Sequence, residues 1–161
     1  MPWPDPLVLA ALDRVLPRIA RLPLRWQASL VRPLLQAVLA EPARAGRFDF
    51  LAGRWIRIEI TDLRIGWSIC VERGRVGLDA RAPAAVRVAA DWRDLLMLAS
   101  RHEDPDALFF RRRLVIDGDT ELALAVKNLI DSLDAAELPS PVWSALRRLG
   151  AEAARGTVAT D

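Results

Sequence analysis

Apolar positions change period along this chain, and the changes divide it into helical, extended and again helical stretches. In the first stretch Leu9, Leu12, Val15 or Leu16, Ile19 and Leu22 recur near helical spacing, with Arg14, Arg18, Arg21 and Arg25 between them. Pro17, Pro23 and Pro33 each remove an N–H and crowd the preceding turn, so the pattern predicts several short helices. One of these lies around Leu30 to Leu39 and ends near Glu41-Pro42, because the residue before a proline disfavours the helical region. The period then becomes two. Ile56, Ile58 and Ile60 alternate with Arg57 and Glu59, and Ile65, Trp67, Ile69 and Val71 alternate with Gly66, Ser68, Cys70 and Glu72. These read as half-buried strands joined by a tight turn around Asp62. Arg73-Gly74 makes a second turn, and Val76, Leu78 and Ala80 supply a third strand of an antiparallel meander. Val86 and Val88 mark a fourth strand ending at Asp91, where Asp91 and Asp94 form a capping arrangement for a helix carrying Leu95, Leu96, Leu98 and Ala99. Asp104-Pro105 then opens a short helix through Leu108, Phe109 and Phe110.

The stretch from Phe109 to Asp134 organises the rest. Leu114-Val115-Ile116 is an apolar run closed by Asp117-Gly118-Asp119, which suits a strand buried on both faces. Asp119 is placed to cap the following helix and Glu121 lies in its first turn, where a carboxylate meets orphan N–H groups. Leu122, Val126, Leu129 and Leu133, flanked by Ala125 and Ile130, form one apolar stripe, with Lys127, Asn128 and Asp131 opposite. Beyond Pro139 and Pro141 a last helix spans about Val142 to Ala154, with Trp143, Leu146 and Leu149 on one face and a frayed end after Gly156. Four or five strands with helices and no repeated βαβ alternation indicate an α+β domain.

Composition narrows this further. A chain of 161 residues with 52% hydrophobic content is long enough for one domain with a real core. The net charge of only +2 does not supply the clustering that nucleic-acid binding needs, so no nucleic-acid partner is expected. Residues 1 to 47 are more basic than the whole, with seven arginines against Asp5, Asp13 and Glu41, and they carry the amphipathic rings of Trp3 and Trp26. Two roles are open to this segment: a helical lid packed on the core, or a helix that docks on a membrane surface or a partner. Cys70 is the sole cysteine, which excludes an internal disulfide and fits a reducing cytoplasmic compartment. No stretch approaches the roughly 20 apolar residues of a membrane span, and no secretory signal pattern stands at the start.

Candidate chemistry is sparse. His102 is the only histidine, and its neighbours Glu103, Asp104 and Asp106 are consecutive loop and helix-start residues that rarely converge, so no metal site and no cofactor are expected. There is no Gly-x-Ser-x-Gly elbow, no phosphate-cradling loop and no paired Cys or His motif. Asp117 and Asp119 read first as turn residues around Gly118. Arg111-Arg112-Arg113 is either solvated and paired with nearby acids, or a rim for an anionic headgroup or partner. What remains is apolar surface: Trp67, Ile69, Leu95, Leu98, Leu108, Phe109, Leu114, Leu122, Val126, Leu129 and Ile130 could pack an ordinary core or line a cavity.

The string DPDALFFRRRLVIDGDTELALAVKNLIDSLD from Asp104, with Gly53-Arg54-Trp55, Asp62, Trp67, Ala90-Asp91 and Asp94-Leu95-Leu96-Met97, resembles the UbiT-type lipid-binding accessory factors of oxygen-independent ubiquinone biosynthesis, a branch of the sterol-carrier-protein superfamily. The resemblance covers about positions 48 to 134. It implies a sterol-carrier fold: a small, mainly antiparallel sheet of about five strands, covered by helices that enclose an apolar cavity, with extra N-terminal helices. It also implies a noncatalytic role, binding polyprenylated ubiquinone precursors for biosynthetic enzymes that include the iron–sulfur hydroxylase pair of that pathway. The eleven apolar residues above then become the lipid-binding set. Residues 1–47 form an arginine-rich helical extension, 48–156 the lipid-binding domain and 157–161 a tail. Peripheral contact at the inner face of the membrane would go through the extension. Outside that resemblance, an interaction module with a fully packed core remains the competing reading.

Overall fold

Alternating isoleucines extend the chain at β1 (Ile56–Ile60), and the meander continues through β2 (Ile65–Glu72) and β3 (Arg75–Asp79). This computed structural model describes residues 5–132 and 140–158. Two helices precede the sheet, α1 (Asp5–Ala20) and α2 (Leu24–Arg44), followed by a single 3-10 turn at Asp49–Leu51. After β3 come β4 (Val86–Ala90), α3 (Trp92–Ala99), α4 (Pro105–Phe110), β5 (Leu114–Gly118), α5 (Thr120–Ser132) and α6 (Ser140–Val158). The strands form one sheet in the order β3-β2-β1-β4-β5, antiparallel throughout except where β4 runs parallel to β1. The architecture is α+β, as expected.

Register sets two dissimilar faces. Ile56 lies opposite Ile69 and beside Val86, while Val71 pairs with Val76 and Ala90 with Leu114, so apolar side chains from all five strands meet on one face. Two helices cover that face. Val31, Leu35 and Leu39 of α2 pack on it from the β3 side, and Leu122, Val126 and Leu129 of α5 from the β5 side. A smaller second cluster joins α1, α3 and α6 through Leu9, Met97 and Ala153. Helix α3 belongs to both: Leu95 and Leu98 meet the main core, Met97 and Leu96 the second.

The caps at Asp104 and Asp119 form as their positions suggest. Asp104 Oδ1 accepts from the N–H of Asp106 at 2.7 Å, and Asp119 Oδ1 accepts from the N–H of Leu122 at 2.9 Å. Gly118 has φ +122°, and a Cβ there would stand 2.3 Å from the carbonyl oxygen of Ala85, so only glycine lets β5 close against β4 before the turn into α5.

Several expectations are overturned. Pro17 lies inside α1, and Pro33 and Pro42 inside α2; only Pro23 separates two helices. An internal proline costs about 3 kcal/mol, and the packing of Val31, Leu35 and Leu39 on the sheet offsets it. The strand β5 is an edge strand with Val115 exposed, not one buried on both faces. The doubly buried strand is β2, because Ala82 lies across Ser68 and Gly53 across Cys70, accepting hydrogen bonds from their side chains at 2.8 and 3.4 Å. Asp91 makes no side-chain cap to α3; its Oδ1 accepts from the Thr61 hydroxyl instead, while Asp62 Oδ1 accepts from the N–H of Trp92 at 3.1 Å. The last helix extends to Val158, past the end expected near Ala154. Trp3 and Leu133 lie outside the described residues.

Candidate functional site

Ten of the eleven apolar residues singled out from sequence meet in the main core between the sheet and its helices. Trp67 and Ile69 reach it from β2, Leu114 from β5, Leu108 from α4, and Leu122, Val126 and Leu129 from α5, all buried; Leu95, Leu98 and Ile130 pack against them at its margin. Phe109 does not join. It is 42% exposed and meets the 80% exposed Phe110 edge to face, with ring centroids 6.1 Å apart. The helical period explains the split, since Leu108 uses the one inward direction that α4 offers.

The interior also draws on residues not singled out beforehand. Leu51, Ile56, Val86 and Val88 are buried in the same cluster, and α2 adds Val31, Leu35 and Leu39. The alternation at Ile56 and Val86 was a usable signal, because register puts both on the face that carries Trp67. For α2 the sequence marked a helix around Leu30 to Leu39, but not which of its faces would pack.

One polar atom stands out in this interior. Trp67 is 8% exposed, and its indole Nε1 is buried without a hydrogen-bond acceptor. A buried N–H that forgoes water without a replacement costs about 1–3 kcal/mol. The apolar core therefore carries an unsatisfied donor.

The opposite face of the sheet is charged. Glu59 accepts from Arg57 Nε at 2.8 Å and from Arg87 Nε at 2.6 Å, and Arg87 Nη1 reaches Asp117 Oδ2 at 3.1 Å. The two guanidinium groups hold the Glu59 carboxyl below the usual range, Arg57 most strongly, and the bond to Glu59 raises Arg87 further. Asp94, at the start of α3, is buried and gripped by Arg113. Burial pushes its carboxyl up, and Arg113 pulls it partly back. Arg111 pairs with Glu103 at 2.8 Å and Arg112 stays exposed, so the arginine triplet divides among separate tasks. Burial also raises the Cys70 thiol, which disfavours a reactive thiolate.

Among the described residues, two clefts open outside the eleven candidates. One of about 550 Å³ sits beside Trp55, Cys70, Arg73 and Arg75; another of about 380 Å³ lies between His102 and Trp143, Arg147 and Arg148 of α6. Neither is lined by any of the eleven residues. His102 is exposed, with Nδ1 3.0 Å from Ser100 Oγ. Among the described residues no group of three or more His, Cys, Asp and Glu side chains is placed to hold a metal ion. No helix among them is long and apolar enough to cross a membrane.

Comparison with known proteins gives this interior a context. Residues 34–131 match the SCP-2 sterol transfer family. The ubiquinone biosynthesis accessory factor UbiT of Escherichia coli K12 is 42% identical over 125 residues, covering 75% of this chain and 72% of that protein. The protein of the same description from Escherichia coli O157:H7 matches to the same extent. Among solved structures, the UbiJ-SCP2 ubiquinone synthesis protein superposes with a TM-score of 0.55 at 21% identity, covering 69% of this chain and 94% of that one, which speaks to the fold alone.

Proposed function

Because the chain belongs to the SCP-2 sterol transfer family, with ubiquinone biosynthesis accessory factors as its relatives, we propose that it is a noncatalytic carrier of polyprenylated ubiquinone precursors. The apolar interior between the sheet and α5, lined by Trp67, Ile69, Leu95, Leu98, Leu108, Leu114, Leu122, Val126, Leu129 and Ile130, receives the prenyl chain. Phe109 stands at its outside, within reach of a partner rather than of the cargo. Residues 48–156 serve as the lipid-binding unit, and the extension 1–47 covers it. The cargo is handed to the enzymes of oxygen-independent ubiquinone biosynthesis, among them the iron–sulfur hydroxylase pair, whose clusters remain on the partners. The protein works in the cytoplasm and meets the inner face of the membrane peripherally.

The observation that carries this reading is the unsatisfied indole N–H of Trp67 inside the apolar core. A prenylated phenol or quinone supplies an oxygen for that donor and apolar carbon for the rest. Each buried CH₂ contributes about 0.8 kcal/mol, so a few isoprene units offset the several kcal/mol lost in immobilising the ligand. A noncatalytic role fits the arrangement of polar groups. Glu103 pairs with an arginine, Asp104 caps a helix, and the His102 ring bonds the Ser100 hydroxyl.

Native mass spectrometry of the isolated protein, followed by competition between long- and short-chain prenylphenols, tests the proposal. Affinity should climb with chain length until the interior is full. Equal binding at every length, or no binding, would favour the competing interaction module with a filled core. The near-complete burial of Leu108, Leu114 and Leu122 is the observation on that side.

A further inference from the structure

The two edges of the sheet are finished differently. At β3, helix α2 lies along the strand and its side chains take backbone groups there. Gln36 accepts from the Val76 N–H at 3.1 Å and donates to the Gly74 carbonyl at 3.2 Å, and Arg32 donates to the Leu78 carbonyl at 3.2 Å. At β5 no described side chain seals the strand in this way, and no further strand lies beyond it. An open edge is a row of unpaired N–H and C=O groups that templates another strand. Proteins guard such edges with a proline, a bulge or a charge on the strand. The register of β5 with β4 runs unbroken from Leu114 to Gly118, its run Leu114-Val115-Ile116 holds neither proline nor charge, and Val115 is 38% exposed.

The charges flanking that run identify the occupant. Arg111, Arg112 and Arg113 precede it, and Asp117 and Asp119 follow. Val115 is the centre of the arrangement: Arg113 and Asp117 stand two positions to either side of it, Arg111 and Asp119 four. A second β5 approaching antiparallel about Val115 therefore sets arginine against aspartate at both ends, whereas a parallel approach sets like against like. The faces agree with this register. Leu114 and Ile116 both belong to the core face, and each would lie opposite the other across the two copies. Val115, on the charged face by alternation, would lie opposite itself. Within one chain Arg111 already pairs with Glu103 and Arg113 with Asp94, but the exposed Arg112 makes no ion pair with any described carboxylate. Across the pair it comes opposite Gly118 of the other copy, between Asp117 and Asp119. In its own chain Asp119 has only a long ion pair among the described residues, 3.9 Å to Arg54.

We propose that β5 is the interface on which a second copy of this chain docks, the two strands pairing antiparallel about Val115 and joining their sheets edge to edge. Such a contact is isologous, with the two-fold axis between the two Val115 residues. It goes beyond the carrier reading and does not depend on any cargo. Sedimentation velocity of the full chain over a range of concentrations tests it. Wild-type protein should pass from monomer to dimer as concentration rises. Val115→Lys and Val115→Glu each bring like charges together at the axis, so each should weaken the dimer about fivefold or more. An equal mixture of the two variants should dimerise again, which neither a folding defect nor a contact elsewhere on the surface would produce. Thermal unfolding of each variant checks that it is folded. Cys70, the only cysteine, is buried, so mild oxidation should leave wild-type protein uncrosslinked while Val115→Cys gives a disulfide-linked dimer. A wild-type protein that stays monomeric, a dimer that both charge variants leave intact, or a mixture that stays monomeric would overturn the proposal.

Discussion

The Arg113 guanidinium clasps the Asp94 carboxylate in two places, with Nε 3.1 Å from Oδ2 and the terminal nitrogen against Oδ1. The clasp ties the segment entering β5 to the first turn of α3. Asp94's side chain is only 5% exposed, so its charge depends on that one partner. Replacing Arg113 by Met keeps the stem and leaves a buried carboxylate unpaired, which should cost about 3 kcal/mol at neutral pH. The sign of the pH effect follows from burial. A carboxyl whose folded pKa is raised contributes most below the ordinary aspartate value of 3.8 and loses that contribution as pH rises through the folded value. The deficit of Arg113→Met, read from urea midpoints, should therefore shrink towards acid. An equal deficit at both ends would mean that Asp94 is not charged in the native state.

Glu59 gives the opposite dependence. Its folded pKa lies below the ordinary 4.5, so its contribution is present above 4.5 and is lost as pH falls through the lower folded value. Glu59→Gln should remove that part of the acid sensitivity, and should lower stability at neutral pH because Arg57 and Arg87 lose their shared acceptor. Thermal unfolding across the acid range checks both. Parallel curves for wild type and variant would show that the pairing on the sheet's charged face adds nothing.

Trp67→Phe separates the head of the cargo from its tail. Phenylalanine keeps an aromatic ring in the core and removes the indole donor. If that donor meets the oxygen of a prenylphenol, affinity for the prenylphenol should fall about fivefold to tenfold, the worth of one hydrogen bond, while a prenyl hydrocarbon without the oxygen binds as before. Competition by native mass spectrometry reads the ratio. Equal losses for both ligands would assign Trp67 a packing role alone.

Much of this was legible along the chain, because the signals act over a few residues. Alternation marked the strands from Ile56 to Val88, carboxylates at Asp104 and Asp119 marked two helix starts, and the stripe at Leu122, Val126 and Leu129 marked the face of α5 that packs. The string of 31 residues that begins at Asp104 also carried the family. Ten of the eleven candidate residues lie in or against the main core, and Phe109 does not because its neighbour Leu108 takes the inward direction.

Tertiary structure decided what depends on distant neighbours. The run Leu114-Val115-Ile116 is as apolar as a central strand, yet strand order leaves β5 at the edge, while Ser68 and Cys70 read as solvent-facing until Ala82 and Gly53 lie over them. Asp94 looked like a capping residue and became half of a buried ion pair, because Arg113 arrives from 19 positions away. Pro33 would end an isolated helix; here packing on the sheet outweighs the lost hydrogen bond. Periodicity within a helix states which residues are apolar together, and only the fold states which of those faces is covered. That is why the covered face of α2 and the unsatisfied donor of Trp67 appear only in three dimensions.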